Sequence, residues 1–84
     1  MQTERQKRRV KAIADFEGLI SRGITGKKIS RGELNVRMGF SDTRMHTIRT
    51  NPLKVTFEEV GKLSDILGIP EEEFHEVLRN VPRG

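Results

Sequence analysis

The sequence predicts an all-α fold, a compact five-helix bundle forming one domain over residues 1–84. Three observations predict it. Apolar residues recur at three-and-four spacing in each candidate element, which places them on one face of a helix. Two S/T-x-x-E capping boxes, Ser30 with Glu33 and Thr56 with Glu59, open helices by satisfying free terminal N–H groups. Gly39, Gly68, Pro52 and Pro82 fall where helices stop. No strand emerges from the pattern.

Residues 2–22 read as the first helix, with Ala12, Phe16 and Leu19 and the adjacent Ile13 and Ile20 as its apolar stripe. Its beginning, residues 1–11, is a basic N-terminal arm or a helix extension. Arg5, Lys7, Arg8, Arg9 and Lys11 leave cations on nearly every side, and either form is compatible with backbone phosphate contacts. Arg22 to Lys28, RGITGKK, reads as a loop. It is no nucleotide loop: Gly26-Lys27 is followed by Lys28 where G-x-x-x-x-G-K-[ST] needs a hydroxyl, and no strand precedes it.

Residues 30–51, SRGELNVRMGFSDTRMHTIRTN, organise the chain. Ser30 and Glu33 start a short helix along which Leu34 and Met38 share a face. Gly39 suits the left-handed residue that closes it, since it has no Cβ. Ser41 caps a second helix, 42–50, on which Met45 and Ile48 point inward. Asp42, Thr43, Arg44, Thr47 and Thr50 are left outside: short donors and acceptors with one cation. A small rigid helix with that exposed face fits a DNA major groove.

Pro52-Leu53-Lys54-Val55 reads as an extended linker, forced out of helix by proline. Thr56 and Glu59 then cap a helix that buries Phe57, Val60, Leu63, Ser64 and Leu67. Gly61 within it costs about 1 kcal/mol against alanine, which close packing against a neighbour would explain. Gly68 ends that helix. Pro70 starts the last, with Glu71, Glu72 and Glu73 in the first turn, where the helix dipole favours carboxylates. Phe74, Val77, Leu78 and Val81 form its apolar face.

Charge divides the chain. Residues 1–54 hold 13 Lys+Arg against 5 Asp+Glu, or +8, and residues 55–84 hold 3 against 7, or −4. Clustered positive charge beside the two-helix unit favours a polyanionic partner. Without cysteine there is no disulfide or thiolate zinc site. His46 and His75 lie on different helices, and no Ser/His/Asp set or carboxylate pair has a spacing that constrains it to act together. The expectation is therefore no metal, no cofactor, no small-molecule substrate and no enzyme. No apolar run approaches the roughly 20 residues of a membrane span, and the start of the chain lacks a signal-type apolar segment. A cytoplasmic protein without membrane association is expected.

These residues resemble the Cro and phage-repressor type of helix-turn-helix regulators. The resemblance is carried by Ile29-Ser30, Glu33-Leu34, Met38-Gly39-Phe40-Ser41, Met45, Ile48, Asn51, Thr56-Phe57, Leu63, Ile66-Leu67-Gly68-Ile69 and Glu72 to Leu78. It runs without a gap from Ile29 to Ile69 and covers roughly residues 12 to 79. It implies a lambda-repressor-like DNA-binding domain that binds double-stranded DNA at a palindromic operator as a homodimer, with half-sites about one helical turn apart. Asp42, Thr43 and Thr47 would read bases. Arg31, Ser41, Arg44, Thr50 and Lys54 would hold the DNA backbone.

Four features depart from the family pattern. Asn35 replaces the small residue between the two motif helices, which alters their crossing angle or requires a partnered amide. Arg49 stands where an acid is common, so a structural ion pair is missing or reversed. The loop before Ile29 is longer than usual, and an aspartate opens the reading helix. The competing expectation is a protein-interaction module on the same scaffold, of anti-repressor, antitoxin or recruitment type.

Overall fold

The computed structural model describes residues 3–82, which form five α-helices and, among the described residues, no strand. The helices are α1 (Glu4–Lys27), α2 (Arg31–Met38), α3 (Asp42–Thr50), α4 (Phe57–Leu67) and α5 (Glu71–Arg79), with a 3-10 turn at Pro52–Lys54. Gln2, where the sequence reading begins the first helix, lies outside the described residues.

α1 starts at a capping box the pattern reading overlooks. Thr3 Oγ1 accepts from the Gln6 amide at 3.1 Å, while the Gln6 side chain accepts from the Thr3 amide at 2.8 Å. The basic segment from Arg5 to Lys11 is therefore helical, and the alternative of an arm without helix is set aside for these residues.

The loop expected over Arg22–Lys28 is also corrected, because α1 continues through it to Lys27. Gly23 is buried at a close approach of helices: a Cβ there would lie 2.6 Å from Leu67 Cβ. Its missing side chain makes room for α4 and creates no turn. The turn comes at Lys28, which adopts φ 57°, with the Ile29 amide reaching back to the Ile24 carbonyl at 3.2 Å.

The core is wholly apolar. Phe16 and Phe74 meet edge to face with centroids 6.0 Å apart, joining α1 to α5. Around them pack Leu19, Ile20, Leu34, Met38, Met45, Ile48, Val60, Leu63, Leu67 and Ile69. Burying each large side chain stabilises by roughly 1.5–3 kcal/mol. α1 packs on α3, α4 and α5, and α2 packs on α4.

Three further expectations change. Pro52–Lys54 forms a single 3-10 turn and not an extended linker, with the Val55 amide bonding the Pro52 carbonyl at 3.1 Å. Phe57 is 84% exposed. It sits at the first position of α4, about 90° around the helix from the Val60–Leu63–Leu67 stripe at 100° per residue. Gly61 needs no special packing, since an added Cβ would meet only the mobile end of Glu71 at 3.4 Å. The expected capping box of α2 is half formed. Ser30 Oγ accepts from the Glu33 amide at 3.0 Å, but the Glu33 carboxylate turns to Arg37 at 3.2 Å.

Candidate functional site

α2 and α3 are joined by three residues, Gly39 to Ser41. Gly39 adopts φ 71°, and the Phe40 amide closes the end of α2 on the Asn35 carbonyl at 2.8 Å. Ser41 Oγ then accepts from the Arg44 amide at 3.0 Å and caps α3. Both ends of the turn are thus hydrogen-bonded, and Met38, Met45 and Ile48 anchor it in the core. The outcome is a short, supported α3.

Its outward face consists of residues 42, 43, 46, 47 and 50, one stripe at three-and-four spacing. Asp42, Thr43, His46 and Thr50 are exposed and Thr47 is half-buried. His46 was missed as a member of this face. Its spacing from Asp42 and Thr43 places it there, although the sequence reading considers it only as a metal ligand.

The hydroxyls on that face differ chemically. Thr47 Oγ1 donates to the Thr43 carbonyl at 2.9 Å, and Thr50 Oγ1 donates to the His46 carbonyl at 2.9 Å. These two keep acceptor lone pairs and methyl groups for a ligand, while their protons are engaged. The Thr43 hydroxyl has no partner among the described residues, so it is free to donate and accept. Asp42 Oδ1 accepts from Asn35 Nδ2 at 3.0 Å. This bond ties α2 to α3 and answers the question posed by Asn35: its amide nitrogen is partnered. The Asn35 Oδ1 atom is buried without a hydrogen bond.

The cations take places the sequence did not foresee. Arg44, expected on the outside, turns in to α4. Its Nε donates to Glu59 Oε2 at 3.1 Å, Nη2 donates to Glu59 Oε1, and Nη2 also reaches the Lys54 carbonyl at 2.9 Å. Phe40 lies under the guanidinium at 5.9 Å. The Glu59 hydrogen bond, opposed by burial and aided by the carboxylate's charge, raises the Arg44 pKa above its ordinary value. Burial alone would push Glu59 up. Its bonds from Arg44 and the Thr56 amide outweigh that and hold the carboxyl below its ordinary value.

Arg31 donates to Glu17 of α1 and to Ser21 Oγ at 2.9 Å. Arg49 grips the same Glu17, Nε to Oε2 at 2.6 Å, so position 49 carries an ion pair between α3 and α1 with the cation on α3. Arg37 pairs with Glu33. All four arginines of α2 and α3 therefore have carboxylate partners. Lys54 is exposed beyond α3, and Ser41 is exposed at its start.

The opposite charge lies elsewhere. Asp15, Glu72, Glu73 and Glu76, with Arg22 bound to Glu73 at 2.8 Å, line a groove between α1 and α5. Residues 15, 18, 19 and 22 of that groove lie on α1 roughly 140° around from the residues that face α3. Among the described residues no cluster of three His, Cys, Asp or Glu is placed to hold a metal ion, and no helix is long and apolar enough to cross a membrane. In comparisons with known proteins, no family model, curated protein or solved structure matches the chain.

Proposed function

We propose that the chain is a sequence-specific, double-stranded DNA-binding transcriptional regulator of phage or mobile-element repressor type. In this reading α2, the Gly39–Ser41 turn and α3 act as a helix-turn-helix in a lambda-repressor-like domain, with α3 in the major groove. The observation that carries it is the outward face of α3: Thr43 exposed with a free hydroxyl, beside Asp42, His46, Thr47 and Thr50, on a helix fixed from behind by Met45 and Ile48. Threonine hydroxyls and methyls suit base edges and the thymine methyl, and a carboxylate suits the cytosine amino group.

The site is a palindromic operator bound by a homodimer, with half-sites about one helical turn apart. Dimer contact falls to the apolar surface of Leu53, Val55, Phe57 and Leu78, which lines a groove of about 460 Å³.

Selection from a random duplex library tests the reading: one enriched palindrome is expected, and no enrichment overturns it. A second reading, a protein-interaction module of anti-repressor or antitoxin type, is favoured by one observation. The arginines of α2 and α3 are all paired within the chain, which suits a surface of low net charge. Capture of a protein from host lysate, with no gel shift on duplex, would select it.

A further inference from the structure

If the four arginines of α2 and α3 are neutralised internally, the attraction to phosphate must come from other cations. The first turns of α1 supply them. Every residue from Glu4 to Lys11 is exposed, and the first buried one is Ala12. At 1.5 Å per residue, those eight residues carry about 12 Å of helix with no core contact. Lys11 is held by Asp15 at 2.9 Å. Lys7, Arg8 and Arg9 have no ion-pair partner among the described residues.

Their directions differ. Val10, Ile13, Ala14 and Glu17 line a groove of about 390 Å³ whose other wall is His46, Arg49 and Thr50 of α3. That groove opens onto the outward face of α3, because His46 and Thr50 belong to both. With 100° per residue, Lys7 and Arg9 flank Val10 at roughly 60° and 100° around α1, whereas Arg8 points roughly 160° away from it. A ligand lying on α3 thus has Lys7 and Arg9 at its flank and Arg8 turned from it. Side chains of this length carry their charged heads well beyond the helix surface.

We propose that the exposed turns of α1 are a rigid phosphate-binding extension, in which Lys7 and Arg9 hold backbone phosphates of the duplex flanking the stretch read by α3. The inference rests on the DNA-binding reading above. The extension spans about 12 Å, roughly three to four base-pair steps at 3.4 Å each, so it widens the footprint without reading sequence. It also gives the helix cap a purpose: Thr3 and Gln6 keep the segment helical, which fixes the two cations relative to α3.

The test is a salt titration of full-length chain on a 30-base-pair mixed-sequence duplex, by fluorescence anisotropy, comparing wild type with Lys7→Ala/Arg9→Ala and with Arg8→Ala. Each lost phosphate contact lowers the log–log slope by about 0.9. The double variant is expected to lose about 1.8 per bound chain, about 3.6 for a bound dimer, and Arg8→Ala to stay near the wild-type slope. Equal slopes for wild type and double variant, with wild type binding steeply, overturn the extension and leave the DNA reading standing. Equal losses from the double and single variants also overturn it, since a diffuse cationic arm then explains the effect. Wild type that does not bind the duplex overturns both. Vesicles containing one-third phosphatidylserine serve as the other arm: variants that lose vesicle binding while keeping the duplex slope assign the cations to lipid and overturn the proposal.

Discussion

Arg44 of α3 meets Glu59 of α4 through two of its nitrogens, Nε at 3.1 Å, while the same carboxylate accepts the Thr56 amide at 2.8 Å. One side chain thus caps α4 and ties it to α3. Glu59→Gln keeps the size and part of the cap but removes the charge. The folded-state pKa of Glu59 is lowered, so its contribution is complete above the ordinary carboxylate range and is lost as pH falls through the lowered folded value. Wild type should exceed Glu59→Gln in unfolding free energy from urea denaturation at pH 7, by under about 1 kcal/mol given solvent screening. The gap should close as pH drops from about 5 toward 2. A gap that stays constant over that interval would show that the ion pair contributes nothing.

Two glycines of α1 should respond in opposite directions. Gly18 has nothing within 4 Å of an added Cβ, whereas Gly23 would place one 2.6 Å from Leu67 Cβ. Gly18→Ala should stabilise by about 0.5–1 kcal/mol through helix propensity. Gly23→Ala should destabilise by about 1–3 kcal/mol, as overpacking does. Chemical denaturation of both variants checks the pair, and stabilisation by Gly23→Ala would mean that α1 and α4 are not in this register.

The contrast between those glycines explains why the sequence misleads around Gly23. Helix number, the stripes of α2 to α5 apart from Phe57, and the N-cap hydroxyls of Ser30, Ser41 and Thr56 are legible, because each depends on residues close along the chain. A loop at RGITGKK is equally reasonable from local signals. In the fold the segment stays helical and packs against Leu67, more than forty positions away, whose approach needs a residue without a side chain. The same limit hides the site's electrostatics. Net charge shows that the first half is basic, but only the folded chain brings Glu17 to Arg31 and Arg49, and Glu59 to Arg44. His46 is legible on the same face from its spacing to Asp42 and Thr43.

Phe57 should govern self-association. It is 84% exposed, tilted against His75 at 5.8 Å, and supports nothing in its own core. In a two-fold interface each contact occurs twice, so losing a buried ring worth about 1.5 kcal/mol per copy weakens the dimer roughly 100-fold. If the chain pairs through this face as proposed, Phe57→Ser should sediment as monomer at concentrations where wild type sediments as dimer, with an unchanged melting curve at low concentration. Dimerisation at wild-type strength would move the interface elsewhere.

Thr43 and Arg44 are adjacent, yet their replacement should produce different losses. Thr43 is exposed and only its carbonyl is used, by Thr47, so Thr43→Ala leaves the melting temperature unchanged. If its hydroxyl or methyl touches a base edge, the variant shifts preference at one position of each half-site, by about 1–3 kcal/mol of discrimination. Arg44 holds Glu59 and the Lys54 carbonyl, so Arg44→Ala lowers the melting temperature and weakens binding to all sequences alike, because α3 loses its brace. Library selection repeated with each variant, alongside melting curves, separates the two behaviours. The wild-type titration should show a log–log salt slope of about −5, corresponding to six or so phosphates. Should Thr43→Ala leave the selected sequence unchanged while His46→Ala alters it, base reading passes one turn along the same face. Should neither variant alter it and Arg44→Ala bind as wild type, α3 is not the element that meets DNA.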